Sequence, residues 1–133
     1  MAKGKILIID DEQDVRDIFK DRLEKAGYNP IVAENGEDAI TILRSGDNMM
    51  NVGLILCDIR MPKVNGIEYI TFLKEQAPGI PVVVVTGYPD PEMEHELIAK
   101  GVKEYLVKPV DKDTMMNMVN KIVAEGKDFS LAL

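Results

Sequence analysis

The stretch Val52-Gly53-Leu54-Ile55-Leu56-Cys57-Asp58 decides the fold. It is apolar almost without a break and then stops on an aspartate. A strand with one wet face alternates apolar and polar residues, whereas an unbroken run belongs to a strand covered on both faces. Working outward, Pro81 to Val85 repeats the pattern with four consecutive valines and stops on Thr86-Gly87. Lys5 to Ile9 is a third such run and stops on Asp10-Asp11. Pro30 to Ala33 and Glu104 to Val107 are shorter β-rich runs, the latter followed by Lys108-Pro109.

Between these runs the apolar period lengthens to that of a helix. Val15, Ile18, Phe19 and Leu23 share one face, with Ala26 near the end and Gly27 as the stop. Asn35 can cap a second helix carrying Ala39, Ile40 and Leu43 and ending at Gly46. Asn65-Gly66 opens a third, with Ile67, Ile70 and Leu73 inward. Asp90-Pro91 places a cap and an N1 proline before Met93, Leu97 and Ile98, and Gly101 ends that helix. The last helix runs from about Lys112 to Glu125 on Met115, Met118, Val119, Ile122 and Val123.

Strand and helix thus alternate five times. Fully apolar strands require helices on both sides of a parallel sheet. The expected fold is α/β, a flavodoxin-like three-layer sandwich of five βα units. Its five-stranded parallel sheet would have strand order 2-1-3-4-5.

Composition sets the outer limits. The chain has 133 residues, 46% of them hydrophobic and 29% charged. That is the ordinary range of a soluble globular domain, and the expectation is one domain with a core of about 5–125. Gly126 to Leu133 reads as a tail or the start of a linker. No apolar run approaches the roughly 20 residues of a membrane helix, and no signal peptide is evident. The single cysteine excludes an internal disulfide, so the cytoplasm is the expected compartment. A net charge of −7 argues against direct binding of nucleic acid.

Ligands of open parallel sheets bind at the carboxyl ends of the strands. In the order 2-1-3-4-5, strands one, three, four and five are neighbours. Asp10, Asp11, Asp58, Thr86 and Lys108 then meet on one rim. Each has an ordinary structural account when taken alone. Asp10 or Asp11 can cap the first helix, Thr86 can be a β-branched strand residue, and Lys108 a solvated lysine. Their convergence from four strands is not explained that way. Three close carboxylates repel, and one lysine does not offset them. A hard divalent cation does, and magnesium is the natural candidate. Such a centre draws in a phosphoryl group, for which a carboxylate is a covalent acceptor. The acidic loop Asp10-Asp11-Glu12-Gln13-Asp14 lacks the glycines of a flavin or dinucleotide loop.

The segments Ile-Ile-Asp-Asp-Glu at 8–12, Cys-Asp-Ile-Arg-Met-Pro at 57–62 with Asn65-Gly66, Val-Val-Thr-Gly at 84–87 and Lys-Pro at 108–109 occur in this order. In that order and spacing the chain resembles the receiver domains of two-component response regulators, over about Lys5 to Glu125. The resemblance implies a phosphorylation switch rather than an enzyme acting on external substrates. It implies Asp58 as phosphoacceptor. Mg2+ would be held by Asp11, Asp58 and the backbone carbonyl of Arg60, with Asp10 on a metal-bound water. Lys108 would pair with Asp58 and then with the phosphoryl group. Thr86 and Tyr105 would be the switch pair, with Gly87 leaving room for the phosphoryl group. Lys108-Pro109 would be a cis peptide bond. A sensor histidine kinase or phosphotransfer protein would be the donor. The surface of the fourth helix, fifth strand and fifth predicted helix would carry the signal to a downstream protein or to a second copy.

Two other readings compete. The chain can be a module of a longer transcription factor or hybrid kinase, with an effector domain beyond Leu133. A metal-dependent phosphatase would need a general-acid aspartate two residues after the nucleophile, where this chain has Arg60. Outside the rim, His95 reads as solvated between Glu94 and Glu96. Cys57 reads as a small core residue, and so does Met116, with a place off the core stripe as its alternative.

Overall fold

The computed structural model describes residues 4–60 and 63–132, with the side chains of all but 63, 64 and 127–132. The strands are β1 (Lys5–Ile9), β2 (Asn29–Ala33), β3 (Val52–Asp58), β4 (Val82–Thr86) and β5 (Glu104–Val107). The helices are α1 (Gln13–Lys25), α2 (Gly36–Leu43), α3 (Asn48–Asn51), α4 (Lys63–Gln76), α5 (Pro91–Ala99) and α6 (Lys112–Ala132). The sheet is parallel throughout and has the order β2-β1-β3-β4-β5, as the apolar runs require.

Burial follows position in the sheet. All five residues of β4 are buried, whereas the edge strands β2 and β5 keep exposed residues at Asn29, Val32 and Val107. Alternation then divides the core in two. Leu7, Ile9, Ile55, Cys57, Val82 and Val84 face the layer of α2, α4 and α5. Ile6, Ile8, Leu54, Leu56, Val83 and Val85 face α1 and α6. Each fully buried aliphatic side chain contributes about 1.5–3 kcal/mol before entropy is counted. The register between β1 and β3 shifts once, where Lys5 faces Val52 and Ile6 faces Leu54. Gly53 sits at that irregularity, the ordinary use of glycine inside a strand.

The expected caps form. The Asn35 side chain accepts from the Asp38 amide at 2.8 Å. The Asp90 carboxylate accepts from the Glu92 and Met93 amides, both at 3.1 Å, with Pro91 at N1. Gly27 and Gly101 end α1 and α5 at φ of 95° and 102°, in the left-handed region that glycine enters without penalty. The Lys108-Pro109 peptide bond is cis.

The structure departs from the expected elements at several points. Among the described residues there are six helices rather than five, because residues 48–51 make one turn, α3, between α2 and β3. That turn is anchored by Asn48, whose amide donates to the Ile42 carbonyl and whose Oδ1 accepts from Lys5 Nζ, both at 2.8 Å. The third expected helix is α4, and it opens at Lys63 rather than Asn65. Gly66 therefore lies inside it, where a Cβ would run into Met93 Cε and lie 3.2 Å from Ile59 Cγ2. Its glycine serves the close approach of α5, not a helix start. Ile18 and Ile98, read as inward, are 51% and 45% exposed. The last helix continues past Glu125 to Ala132, where the sequence suggested a tail. Met61 and Pro62, which complete the Cys57 motif, lie outside the described residues.

Candidate functional site

The parallel register brings the strand ends level. Ile9 pairs with Cys57, Asp58 with Val85, and Thr86 with Val107. Asp10 and Asp11 leave β1, Asp58 closes β3, Thr86 closes β4 and Lys108 leaves β5. One oxygen from each of Asp10, Asp11 and Asp58 lies within 4.8 Å of the others. Asp10 is 2% exposed, and the Asp58 side chain 3%. Asp11 is the outer member, with its side chain 68% exposed.

Lys108 enters this cluster from the far side of β4. Its Nζ is 3.3 Å from Asp10 Oδ2 and 3.1 Å from Asp58 Oδ1. It donates a hydrogen bond to Asp10. It stands at ion-pair distance from Asp58 Oδ1, a buried oxygen to which nothing else among the described residues donates. The loop is locked from below. Asp10 Oδ1 accepts from the Glu12 amide at 2.8 Å, and Arg16 donates to the Asp10 carbonyl at 2.6 Å.

Burial, then the charge of Asp10, pushes the Asp58 carboxyl up to about 6 against the opposing pull of Lys108. Burial also raises Asp10, again opposed by Lys108. Both carboxyls are raised first by their burial, which one lysine only partly offsets. The donors are all oxygen, and the buried Asp58 Oδ1 has only the Lys108 ion pair. Such a set suits a hard divalent cation.

Thr86 is 2% exposed. Its hydroxyl donates to the Ile59 carbonyl at 3.1 Å and accepts from the Tyr88 amide at 3.0 Å. The half-buried Tyr105 packs against the α4–α5 core, and its hydroxyl accepts from the Asp90 amide at 3.2 Å. Thr86 and Tyr105 thus hold the two ends of the loop between β4 and α5. A Cβ at Gly87 would meet nothing within 4 Å, so packing does not demand glycine there.

Sequence reasoning missed two side chains. Arg60 was singled out for its carbonyl and for its place two residues after Asp58, a position that by the resemblance influences loss of the phosphoryl group, but not for its guanidinium, which lies across the rim. Its Nε donates to Asp58 Oδ2 at 3.1 Å and is 3.8 Å from Asp11 Oδ1, and the group also pairs with Glu12. Tyr69, on α4, lies against Gly36 and lines a cavity of about 250 Å³ with Asp10, Asp11, Asp58 and Arg60. Burial pushes its phenol far up, as it does the neighbouring Cys57 thiol. Cys57 is fully buried and is the core residue the sequence suggested. His95 is exposed. Met116 is half-buried against the α1–α6 core, as its main reading had it. A larger cavity, about 390 Å³, lies at Lys74, Gly101 and Lys103, away from these carboxylates.

The chain matches the response regulator receiver domain over residues 6–120. It belongs to that family. The transcriptional regulatory protein ZraR of Salmonella typhimurium is 32% identical over 130 residues, which cover 96% of this chain and 29% of ZraR. This chain therefore spans under a third of the length of that relative. A receiver domain from Clostridium thermocellum is 27% identical with a TM-score of 0.82, covering 95% of this chain and 98% of that one. The response regulator TrrA of Thermotoga maritima, solved in complex with Mg(2+)-BeF, is 30% identical with a TM-score of 0.72, covering 90% and 98%. Among the described residues no helix is long and apolar enough to cross a membrane.

Proposed function

We propose that this receiver domain accepts a phosphoryl group on Asp58 in a Mg2+-dependent reaction and relays the event to its α5–β5–α6 surface. One observation carries the reading. Asp10, Asp11, Asp58 and Lys108 converge on one rim, with a buried Asp58 oxygen that has no hydrogen-bond partner. Asp11, Asp58 and the Arg60 carbonyl would hold the ion, and Asp10 would hold one of its waters. When bound, the ion offsets charge on the transferring phosphoryl oxygens. The complex of TrrA with Mg(2+)-BeF supports carrying a divalent ion over to this chain.

An Asp58 oxygen bonds to phosphorus as the bond between phosphorus and the donor's histidine nitrogen breaks. The electron pair stays with the departing imidazole. Lys108, already beside Asp58, follows the new charge onto a phosphoryl oxygen. Thr86 exchanges its bond to the Ile59 carbonyl for one to another phosphoryl oxygen, in the space beside Gly87. That exchange turns the Thr86 hydroxyl, which also accepts from the Tyr88 amide, and so shifts the β4–α5 loop whose other end Tyr105 holds at the Asp90 amide. Attack of water on phosphorus later restores the carboxylate. The phosphoryl contacts supply the free-energy difference between the two surfaces.

The donor is a sensor histidine kinase or phosphotransfer protein, and the compartment is the cytoplasm. The domain turns over no external ester, since Arg60 stands where a phosphatase needs an acid. ZraR's greater length favours an output domain elsewhere in the natural chain, and the exposed Ile98 and Val107 offer a face for it or for a second copy.

Intact mass after incubation with acetyl phosphate tests the reading. One added phosphoryl group is expected with Mg2+, and none with EDTA or in Asp58→Asn. Phosphorylation retained in Asp58→Asn would overturn it.

A further inference from the structure

Four carboxylates crowd the rim, and two cations meet them from opposite sides. Lys108 stands on the inner side, its side chain 16% exposed, and takes Asp58 Oδ1 and Asp10 Oδ2. Arg60 stands at the mouth, its side chain 37% exposed, and takes Asp58 Oδ2, Asp11 Oδ1 and Glu12. The two cations therefore divide the two oxygens of Asp58 between them. The contacts of Lys108 are compatible with an added ion, because it reaches the carboxylates from behind. Those of Arg60 are not. The carboxylates it covers, Asp58 and Asp11, are the pair a divalent ion would use.

We propose that Arg60 is a built-in counter-cation that covers the Asp11 and Asp58 carboxylates until a divalent ion displaces it. It thereby sets the ion concentration at which the site becomes competent. This rests on the metal site proposed above.

The chemistry of the group suits the role. A guanidinium stays charged at every physiological pH, and it is more weakly hydrated than an ammonium, so it remains on carboxylates that a lysine would leave to water. It competes with an ion of charge two for Asp58 Oδ2 and Asp11 Oδ1, the oxygens it covers, and the like charges add to the competition. Its partial exposure leaves a way out. Glu12, a neighbouring carboxylate that is not among the ion's holders, offers the displaced guanidinium a partner outside the ion's coordination shell. Exchange then needs a rotamer change of one side chain and no backbone movement.

The test is direct binding, independent of phosphorylation. Mn2+ is titrated into the full chain, and the free aquo ion is read by electron paramagnetic resonance. Arg60→Gln keeps much of the side-chain length without the charge, and Arg60→Lys keeps the charge. Losing one charge-assisted contact is worth about tenfold in affinity. Arg60→Gln is therefore expected to bind Mn2+ about tenfold more tightly than the wild type, with Arg60→Lys in between. Equal or weaker binding by Arg60→Gln would overturn the proposal, as would equal tightening in both variants. Asp11→Asn separates the two levels of inference. If it leaves Mn2+ binding unchanged, the metal site itself is misassigned. If it abolishes binding and Arg60→Gln changes nothing, only the role of Arg60 fails.

Discussion

Lys108 Nζ lies 3.1 Å from Asp58 Oδ1 and reaches it across β4, the strand that separates β3 from β5 in the sheet. The same Nζ bonds Asp10, so one ammonium serves two carboxylates that water barely touches. Removing it should leave Asp10 without its lysine and Asp58 with Arg60 alone, and the effect should depend on whether Asp58 is still charged.

Lys108→Met is expected to destabilise the metal-free protein at neutral pH by about 2–3 kcal/mol, as does breaking other buried pairs from one side. In an Asp58→Asn background the same substitution should cost at least about 1 kcal/mol less. Urea unfolding of the four proteins in EDTA measures the difference. Additivity within about 0.3 kcal/mol would mean the two residues touch without coupling.

The raised Asp58 carboxyl gives stability a pH dependence whose sign follows from linkage. Its folded value of about 6 lies above the ordinary 3.8. Between those values the native state binds the extra proton, so stability falls as pH rises through that window. Asp10 is shifted in the same direction. At neutral pH the charged Asp58 should cost about 3 kcal/mol, and Asp58→Asn should be the more stable protein by up to that amount in metal-free buffer. Near pH 4 the two should converge. Urea midpoints at both pH values check this, and a wild type that gains stability toward neutral pH relative to Asp58→Asn would contradict it.

The sheet and the inner site were legible in the sequence for one reason. Val52 to Cys57, the four valines of β4 and Ile6 to Ile9 must be covered on both faces, and each run stops on a polar residue at the rim. Parallel strands start and stop together, so knowing where each run ends locates Asp10, Asp58, Thr86 and Lys108. Arg60 and Tyr69 were not legible because nothing local fixes where a long side chain points. The guanidinium is oriented by Asp11, Glu12 and Asp58, residues of two strand ends. The Tyr69 ring is oriented by Gly36 on a different helix. The single turn α3 has too few residues for an apolar period, and it owes its anchorage to Lys5 and Ile42. The start of α4 was misread because Gly66 suits a helix boundary in sequence, whereas Met93 and Ile59 are what require it to be small.

Thr86 is the residue whose present bonds must break for the switch to act. Thr86→Val keeps the shape and removes both hydroxyl bonds, leaving the buried Ile59 carbonyl without that donor. A loss of about 1–2 kcal/mol in stability is expected. Intact mass should still report phosphoryl uptake, because Asp58, Asp11 and Lys108 remain. The ring resonances of Tyr105, followed by NMR, should no longer shift on phosphorylation as they do in the wild type. A full Tyr105 response in Thr86→Val would mean that the loop is driven by some other contact.

Gly36 and Tyr69 offer a test of the cavity beside Asp58. The φ of Gly36 is not in the left-handed region, so its backbone tolerates any residue. A Cβ there would stand 2.7 Å from Tyr69 Cε2 and 3.2 Å from its Cζ and hydroxyl oxygen. An aromatic ring held in a packed layer cannot yield as the tip of a flexible chain can. Gly36→Ala should therefore cost about 1–3 kcal/mol, the usual range for overpacking. The displaced ring should narrow the cavity that Asp10, Asp11 and Asp58 line, and so slow phosphoryl uptake from acetyl phosphate. Both effects should fade when Tyr69→Leu is added, since the smaller side chain leaves room for the methyl group. Thermal unfolding and the rate of mass gain, measured on the single and double variants, give the answer. If Tyr69→Leu restores neither, the glycine is required by something other than the ring.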